Sequence, residues 1–341
     1  MSLLDQNIPE LEETLAALGE PKFRAKQLYA WLAAGAAFEE MTNLPKSLRE
    51  KLRDAQQEGY VEPIEVLKAE DGTRKYLFRL ADGNTVESVL MRKNYGNTLC
   101  LSTQVGCRMG CAFCASCKNG LIRNLTPGEM LAQFIFANRE LGGGRSIKNI
   151  VLMGMGEPFD NYDHVAAFLR RVNDANGLGV SWRDISLSTC GLVPQILRFA
   201  QENMPVHLCL SLHAPTDEKR RKIMPAAKKW KLEEIISALK CYFEKTGRRI
   251  IIEYAIIPGF NDGQEDASAL RALLAGLNCH INLIPLNKVP ECSFAPPTKH
   301  QVYAFANMLK RQGLSATVRH SAGQEILGAC GQLRNRTLEN S

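Results

Sequence analysis

Residues 98–114 read Thr98-Leu-Cys100-Leu-Ser-Thr-Gln-Val-Gly106-Cys107-Arg-Met-Gly-Cys111-Ala-Phe-Cys114. The first half is an apolar, β-branched run that reads as a strand over Thr98–Val105. The second half is a loop bounded by glycine and carrying three cysteines. From this strand onward the chain changes rhythm. Apolar runs recur at Asn149–Met153, Asp184–Leu187, Val206–Leu212, Ile250–Ile257, His280–Pro285 and Ala316–Arg319. Helical patterns lie between them, among them Glu129–Glu140, Tyr162–Asn173, Leu232–Glu244 and Lys299–Lys310. Short apolar strands alternating with helices predict an α/β fold with a parallel sheet, closing into a full or partial (β/α) barrel. In such a barrel the reacting groups sit at the C-terminal ends of the strands. Gly106-Cys107, Gly154-Met-Gly156-Glu157-Pro158, Ser188-Thr-Cys-Gly191, Ser211-Leu212-His213 and Asn287 all fall there.

Upstream of residue 98 the pattern differs. Lys22–Leu32 places Phe23, Leu28, Trp31 and Leu32 at helical spacing, and Pro45 suits the first turn of a second helix. Lys75–Leu80 and Thr85–Met91, separated by Asp82-Gly83, predict a β-hairpin. The expected organisation is therefore a small accessory segment over 1–85, helical and then hairpin. A barrel over 86–335 and a tail over 336–341 follow it.

Composition narrows the classes. No run approaches the roughly 20 apolar residues that span a bilayer, and the start Met1-Ser-Leu-Leu-Asp-Gln lacks the pattern of a signal peptide. Eleven cysteines without such a signal favour metal or thiol chemistry in a reducing, cytoplasmic setting over a disulfide framework. The net charge of +6 is unevenly spread. Residues 1–85 hold 11 Lys/Arg against 15 Asp/Glu, a net −4, whereas residues 86–341 carry +10. Seven of the basic residues fall within Lys219–Lys231, as a solvated helix face or as a surface for a polyanion.

Cys107, Cys111 and Cys114 are soft ligands close enough in sequence to wrap three irons of a [4Fe–4S] cube. Three small buried thiols are the plain alternative. Zinc normally takes a second, distant pair of ligands. With only three cysteines, one iron would stay open to a small ligand. Cys117 stands either as a fourth ligand closing the cluster or as a loop or core residue.

This CxxxCxxC loop resembles that of the radical S-adenosylmethionine (SAM) enzymes. Thr98–Cys107, Gly120-Leu-Ile-Arg-Asn-Leu125 and Ala329-Cys330-Gly-Gln-Leu333 narrow the likeness to the dual-specificity RNA adenine methyltransferases, from about Glu20 to Leu333. The resemblance implies a partial barrel of the radical SAM type, a [4Fe–4S] cluster and two SAM molecules per turnover. It also implies a low-potential electron donor of the flavodoxin or ferredoxin kind, and methylation of carbon 2 of adenine 2503 in 23S rRNA and of adenine 37 in tRNA. By the same likeness Cys330 carries the methyl group as S-methylcysteine and becomes linked to RNA. Cys100 resolves the link through a transient disulfide with Cys330, and Glu87 accepts the ring proton. Gly156, Glu157, Ser188, Ser211, Leu212, His213 and Asn287 match SAM contacts. The accessory segment would position RNA, because the chemical motifs all follow residue 86. A monomer that touches no membrane is expected.

Two departures from the family pattern stand out: Cys114-Ala-Ser-Cys117-Lys-Asn-Gly120 and Gly323–Cys330. Arg123, Arg334 and Arg336 join the Lys219–Lys231 run as RNA-contact candidates, and Cys190, Cys209, Cys241, Cys279 and Cys292 read as packing. Two other readings are a carbon-8 adenine methyltransferase of the antibiotic-resistance type and a non-catalytic iron–sulfur protein that binds RNA or transfers electrons.

Overall fold

The computed structural model describes residues 2–55, 57–286, 294–319, 326 and 332–339. The chain begins with three helices, α1 (Ile8–Ala17), α2 (Arg24–Ala34) and α3 (Lys46–Ala55). Asn7 and Glu10 exchange capping bonds at the start of α1, at 3.0 and 2.6 Å. Leucines four residues apart (11 and 15, 28 and 32, 48 and 52) supply the inward faces. The buried face of α2 is Ala25, Leu28, Tyr29 and Leu32. Of the expected stripe Leu28 and Leu32 are packed and Trp31 lies partly buried against the core, whereas Phe23 precedes the helix and is 62% exposed.

Three antiparallel strands follow, β1 (Pro63–Lys68), β2 (Arg74–Arg79) and β3 (Thr85–Met91). The expected hairpin is β2–β3. The strand β1, absent from the sequence reading, adds an outer edge to it. β3 also pairs antiparallel with β4 (Asn97–Cys100), so the hairpin extends the main sheet rather than standing apart.

The rest of the chain is strand–helix repeats. The run Thr98–Val105 is not one strand: β4 stops at Cys100, and β5 (Gln104–Gly106) pairs with β6 (Leu121–Asn124) in a separate two-stranded sheet. Then come α4 (Pro127–Glu140), β7 (Ile147–Leu152), α5 (Tyr162–Asn173), β8 (Ile185–Thr189), α6 (Val193–Phe199) and β9 (His207–Ser211). They are followed by α7 (Asp217–Ile223), α8 (Leu232–Thr246), β10 (Ile250–Ile256), α9 (Gln264–Leu273), β11 (Cys279–Pro285), α10 (Lys299–Arg311), β12 (Ala316–Val318) and α11 (Gln332–Glu339). The tail expected from residue 336 thus begins inside α11.

The ten-stranded order is β1-β2-β3-β4-β7-β8-β9-β10-β11-β12, parallel from β4 onward. Among the described residues this sheet is open, a partial barrel. One continuous apolar core runs from Leu3 to Ala316 and joins the N-terminal helices to the barrel. The join is also polar, since Gly128 N donates to Asp5 Oδ1 at 2.9 Å and Arg171 donates to the Leu4 carbonyl. No helix among the described residues is long and apolar enough to cross a membrane.

Candidate active site

β5 and β6 carry the cysteine loop on a narrow base. Cys107 N donates to Gly120 O at 2.9 Å, and Gly106 has φ +79°. A Cβ at Gly106 would lie 2.0 Å from that same carbonyl, so no other residue fits the position. The loop folds back through Cys114 N to Cys111 O and Cys117 N to Cys114 O, and Ala112 N to Ile223 O pins it to α7. Cys107, Cys111, Cys114 and Cys117 together line one end of a cavity of about 250 Å³. The three expected ligand thiols each hydrogen-bond with Cys117, which with burial pushes them above the usual thiol range. The same contacts push Cys117 below it. Among the described residues, no three His, Cys, Asp or Glu side chains surround one point as a single ion needs. The fit to a multi-iron cluster therefore rests on donor chemistry: soft thiols gathered in one cavity.

The opposite wall comes from the ends of β7, β8 and β9. Gly156 has φ +104°, and a Cβ there would sit 2.6 Å from Gln104 Cβ. Glu157 is buried; Oε1 accepts from Phe159 N at 3.1 Å, Oε2 from Cys190 N at 2.8 Å, and burial raises its carboxyl pKa. Ser188 Oγ and Ser211 Oγ lie 3.0 Å apart across β8 and β9. His213 sits in the left-handed region at φ 55°, with the Phe113 ring edge-on at 4.8 Å. Its Nδ1 accepts from Ala255 N at 2.9 Å, which places the ring proton on Nε2. Burial lowers its pKa to about 3, so the ring is neutral near pH 7 and keeps one donor.

Gly156, Glu157, Ser188, Ser211 and His213 thus line the same cavity as the four cysteines. Leu212 is fully buried outside the cavity wall. Its N donates to Glu253 O at 3.0 Å, and its carbonyl accepts from Arg220 Nε at 3.1 Å. Asn287, Cys292 and Cys330 lie outside the described residues.

Glu87 and Cys100 form a second group, on β3 and β4. Glu87 is 2% exposed; Oε2 lies 3.0 Å from Lys75 Nζ, and Oε1 accepts from Arg334 N, in the first turn of α11, at 2.7 Å. Ser102 links the groups, donating from Oγ to Glu87 O at 2.6 Å and accepting from Met155 N at 3.0 Å. Cys100 is buried opposite Val89, among Met91, Val151 and Met153. Met153 also lines the cavity, so one side chain separates Cys100 from it.

Several residues here were not legible as functional. Arg220, counted above with the surface cations, is fully buried. It donates to the carbonyls of Cys190 (2.5 Å), Ser211 (3.2 Å) and Leu212, fastening the ends of β8 and β9. A signal was available: four consecutive cations on a helix span all its faces, so one of Lys219–Lys222 must turn inward. Cys190 lines the cavity, as do Glu253 and Arg319. Glu253 accepts from Asn282 Nδ2 at 3.1 Å, and burial raises its pKa. The other arginines expected to contact RNA are engaged. Arg123 grips Glu129 through two bonds of 2.8 Å and also bonds Asp82, Arg334 is buried, and Arg336 pairs with Glu65. Arg221, Lys228, Lys229 and Lys231 remain exposed.

The parallel sheet, the cysteine loop after its first strand and the polar strand ends define a radical SAM enzyme. The radical SAM superfamily model matches residues 101–270, and that of a ribosomal RNA large subunit methyltransferase N-terminal domain matches residues 1–57. The chain is 48% identical over 337 residues to a "Probable dual-specificity RNA methyltransferase RlmN" of Lachnospira eligens, covering 98% of this chain and 96% of the relative. A relative with the same name from Symbiobacterium thermophilum is 50% identical, with 97% and 90% coverage. The crystal structure of a radical SAM methyltransferase from Sphaerobacter thermophilus superposes with a TM-score of 0.93 at 43% identity, covering 97% of this chain and 98% of that one. The chain belongs to the RlmN family of dual-specificity RNA methyltransferases. Its cofactors are accordingly a [4Fe–4S] cluster and SAM.

Proposed function

We propose that this protein methylates carbon 2 of adenine at position 2503 of 23S rRNA and at position 37 of tRNA. The supporting observation is the single cavity that gathers the loop cysteines, the Gly156–Glu157 turn and the polar ends of β8 and β9. Family membership, shared along nearly the whole chain, supports RNA as the substrate class.

In this reading Cys107, Cys111 and Cys114 hold the cluster, and SAM rests against Gly156, Glu157, Ser188, Ser211, the Leu212 backbone, His213 and Asn287. When bound, cluster and SAM together supply a transferable methyl group and a strong hydrogen-abstracting radical. The protein's own residues do the rest. Cys330 accepts the methyl group on sulfur and, after hydrogen abstraction, joins RNA through that carbon, the adduct radical giving up one electron, which a bound cluster could accept. Glu87 takes the proton from the ring carbon, and Cys100 attacks the Cys330 sulfur; the carbon–sulfur bond breaks, the freed methylene takes up a proton to become the methyl group, and a Cys100–Cys330 disulfide is left. That disulfide must be reduced before the next turnover. Glu157 is held by two backbone amides and His213 presents one N–H, a polar setting suited to an amino-acid group. Residues 1–85 position RNA, the exposed cations of 221–231 neutralise phosphate, and a flavodoxin- or ferredoxin-like protein delivers electrons to a monomeric enzyme in the cytoplasm.

The test is anaerobic reconstitution with iron, sulfide, SAM and reductant on an rRNA fragment and on tRNA, followed by nucleoside mass spectrometry. 2-Methyladenosine is the expected product. 8-Methyladenosine would assign the carbon-8 reaction instead, and an intact cluster with no methylated nucleoside would refute the proposal.

A further inference from the structure

We infer that Cys117 is a fourth, exchangeable thiolate ligand, held on the cluster while SAM is absent and displaced when SAM binds. The inference rests on the cluster reading above and goes beyond it, because that reading uses only three cysteines.

Three observations carry it. First, Cys117 lines the same cavity as Cys107, Cys111 and Cys114. A cysteine that merely packed would face the core and leave the ligand set alone. Second, the backbone aims it there. Ala115–Cys117 is a single 3-10 turn with Ala115 and Ser116 buried, and Cys117 N closes on Cys114 O at 3.3 Å. Third, the turn is held from outside, since Asn335 Nδ2 on α11 donates to Ala115 O at 3.1 Å. The turn that carries Cys117 is therefore anchored beside the other three cysteines.

Iron prefers thiolate to water, so an open coordination site beside such a sulfur takes it when nothing better is bound. SAM offers a chelating amino and carboxylate pair. On binding, the Fe–S bond to Cys117 breaks, two bonds to SAM form, and the released thiolate takes a proton from water. No electron moves. The device protects the fourth iron while the enzyme waits for substrate.

The experiment compares the reconstituted wild-type chain with Cys117→Ala and Cys117→Ser, each oxidised briefly by ferricyanide. Loss of the fourth iron is followed by the electron paramagnetic resonance signal of the three-iron cluster. Without SAM, Cys117→Ala should lose that iron about 10-fold faster than wild type or more. Cys117→Ser, with its weaker oxygen ligand, should fall between them. Saturating SAM should erase the differences. The reduced cluster spectra should differ between wild type and Cys117→Ala only without SAM. Circular dichroism checks the fold of each variant. Identical rates and spectra without SAM would overturn the inference while leaving the three-cysteine cluster intact. A Cys107→Ala control that keeps its full iron content would overturn the cluster reading and this inference with it.

Discussion

Lys75 Nζ lies 3.0 Å from Glu87 Oε2 inside the sheet, the two side chains 0% and 2% exposed. The β2–β3 register pairs Lys75 with Val89 and Leu77 with Glu87, so the two are diagonal neighbours on one face. Burying both charges is expensive, and removing only one partner costs more than replacing both. The second carboxylate oxygen holds Arg334 N, which ties α11 to this pair across 247 residues of sequence. The ion pair therefore fixes the base proposed for the reaction and anchors the helix that follows Cys330.

Lys75→Met should destabilise the protein by about 3–5 kcal/mol, because the Glu87 carboxylate loses its ammonium in a buried site. Urea unfolding measures this. The double variant Lys75→Met/Glu87→Leu should recover most of the loss. A double variant as unstable as the single one would show that the cost comes from lost packing rather than stranded charge.

The two proposed active cysteines should fail differently. Cys330→Ala has no sulfur to methylate, so neither product nor RNA adduct can form. Cys100→Ala still permits addition to adenine and should accumulate a covalent protein–RNA species, seen as a nuclease-sensitive shift on a denaturing gel. Glu87→Gln should accumulate the same species, with turnover lowered by about 100-fold or more. Normal turnover by Cys100→Ala would end the two-cysteine mechanism.

The parallel strands and their long helices were legible because each had a clear period. Tyr162–Asn173 appears in the fold with the bounds expected of it. β1 was not legible, because this edge strand turns Ile64 and Val66 outward and alternation gives no inward face. The run Thr98–Val105 looked continuous, yet Thr103 N and Gln104 N both turn to Met155 O, and that tertiary contact divides β4 from β5. The chemical loop was legible from its cysteines alone. The burial of Arg220 and the Lys75–Glu87 pair were not, because each depends on how separate strands come together.

His213 predicts a pH dependence. Its folded pKa of about 3 lies below the ordinary 6.5, so the unfolded chain binds the extra proton first as the solution is acidified. The stability this provides is complete above pH 6.5 and drains away as the pH falls toward 3. Unfolding free energies of wild type and His213→Gln, measured between pH 7 and pH 4.5, should converge with acidification. Parallel curves would mean that the imidazole is not held neutral. SAM binding should not follow this ring over the same interval, because the folded imidazole stays neutral until the pH nears 3.

Arg220 is expected to govern the shape of the cofactor wall without touching the cofactor. Its guanidinium satisfies the carbonyls of Cys190, Ser211 and Leu212, and the Cys190 peptide in turn donates to Glu157 Oε2. The backbone of one residue, Cys190, thus lies between a buried cation and a buried carboxylate, so moving the cation moves Glu157. Arg220→Met leaves those carbonyls without their donor in a dry site, at about 1–3 kcal/mol for each buried group left unsatisfied. Arg220→Lys keeps the charge but not the planar fork that reaches several carbonyls at once. Thermal unfolding should therefore rank wild type above Arg220→Lys and Arg220→Lys above Arg220→Met. SAM affinity, measured by calorimetry on reconstituted protein, should fall in the same order, because Ser188, Ser211 and Glu157 all depend on the two strand ends. Iron content should stay unchanged, since the cysteine loop keeps its own base on β5 and β6. Full SAM affinity in an Arg220→Met protein of lowered stability would reduce Arg220 to a packing role.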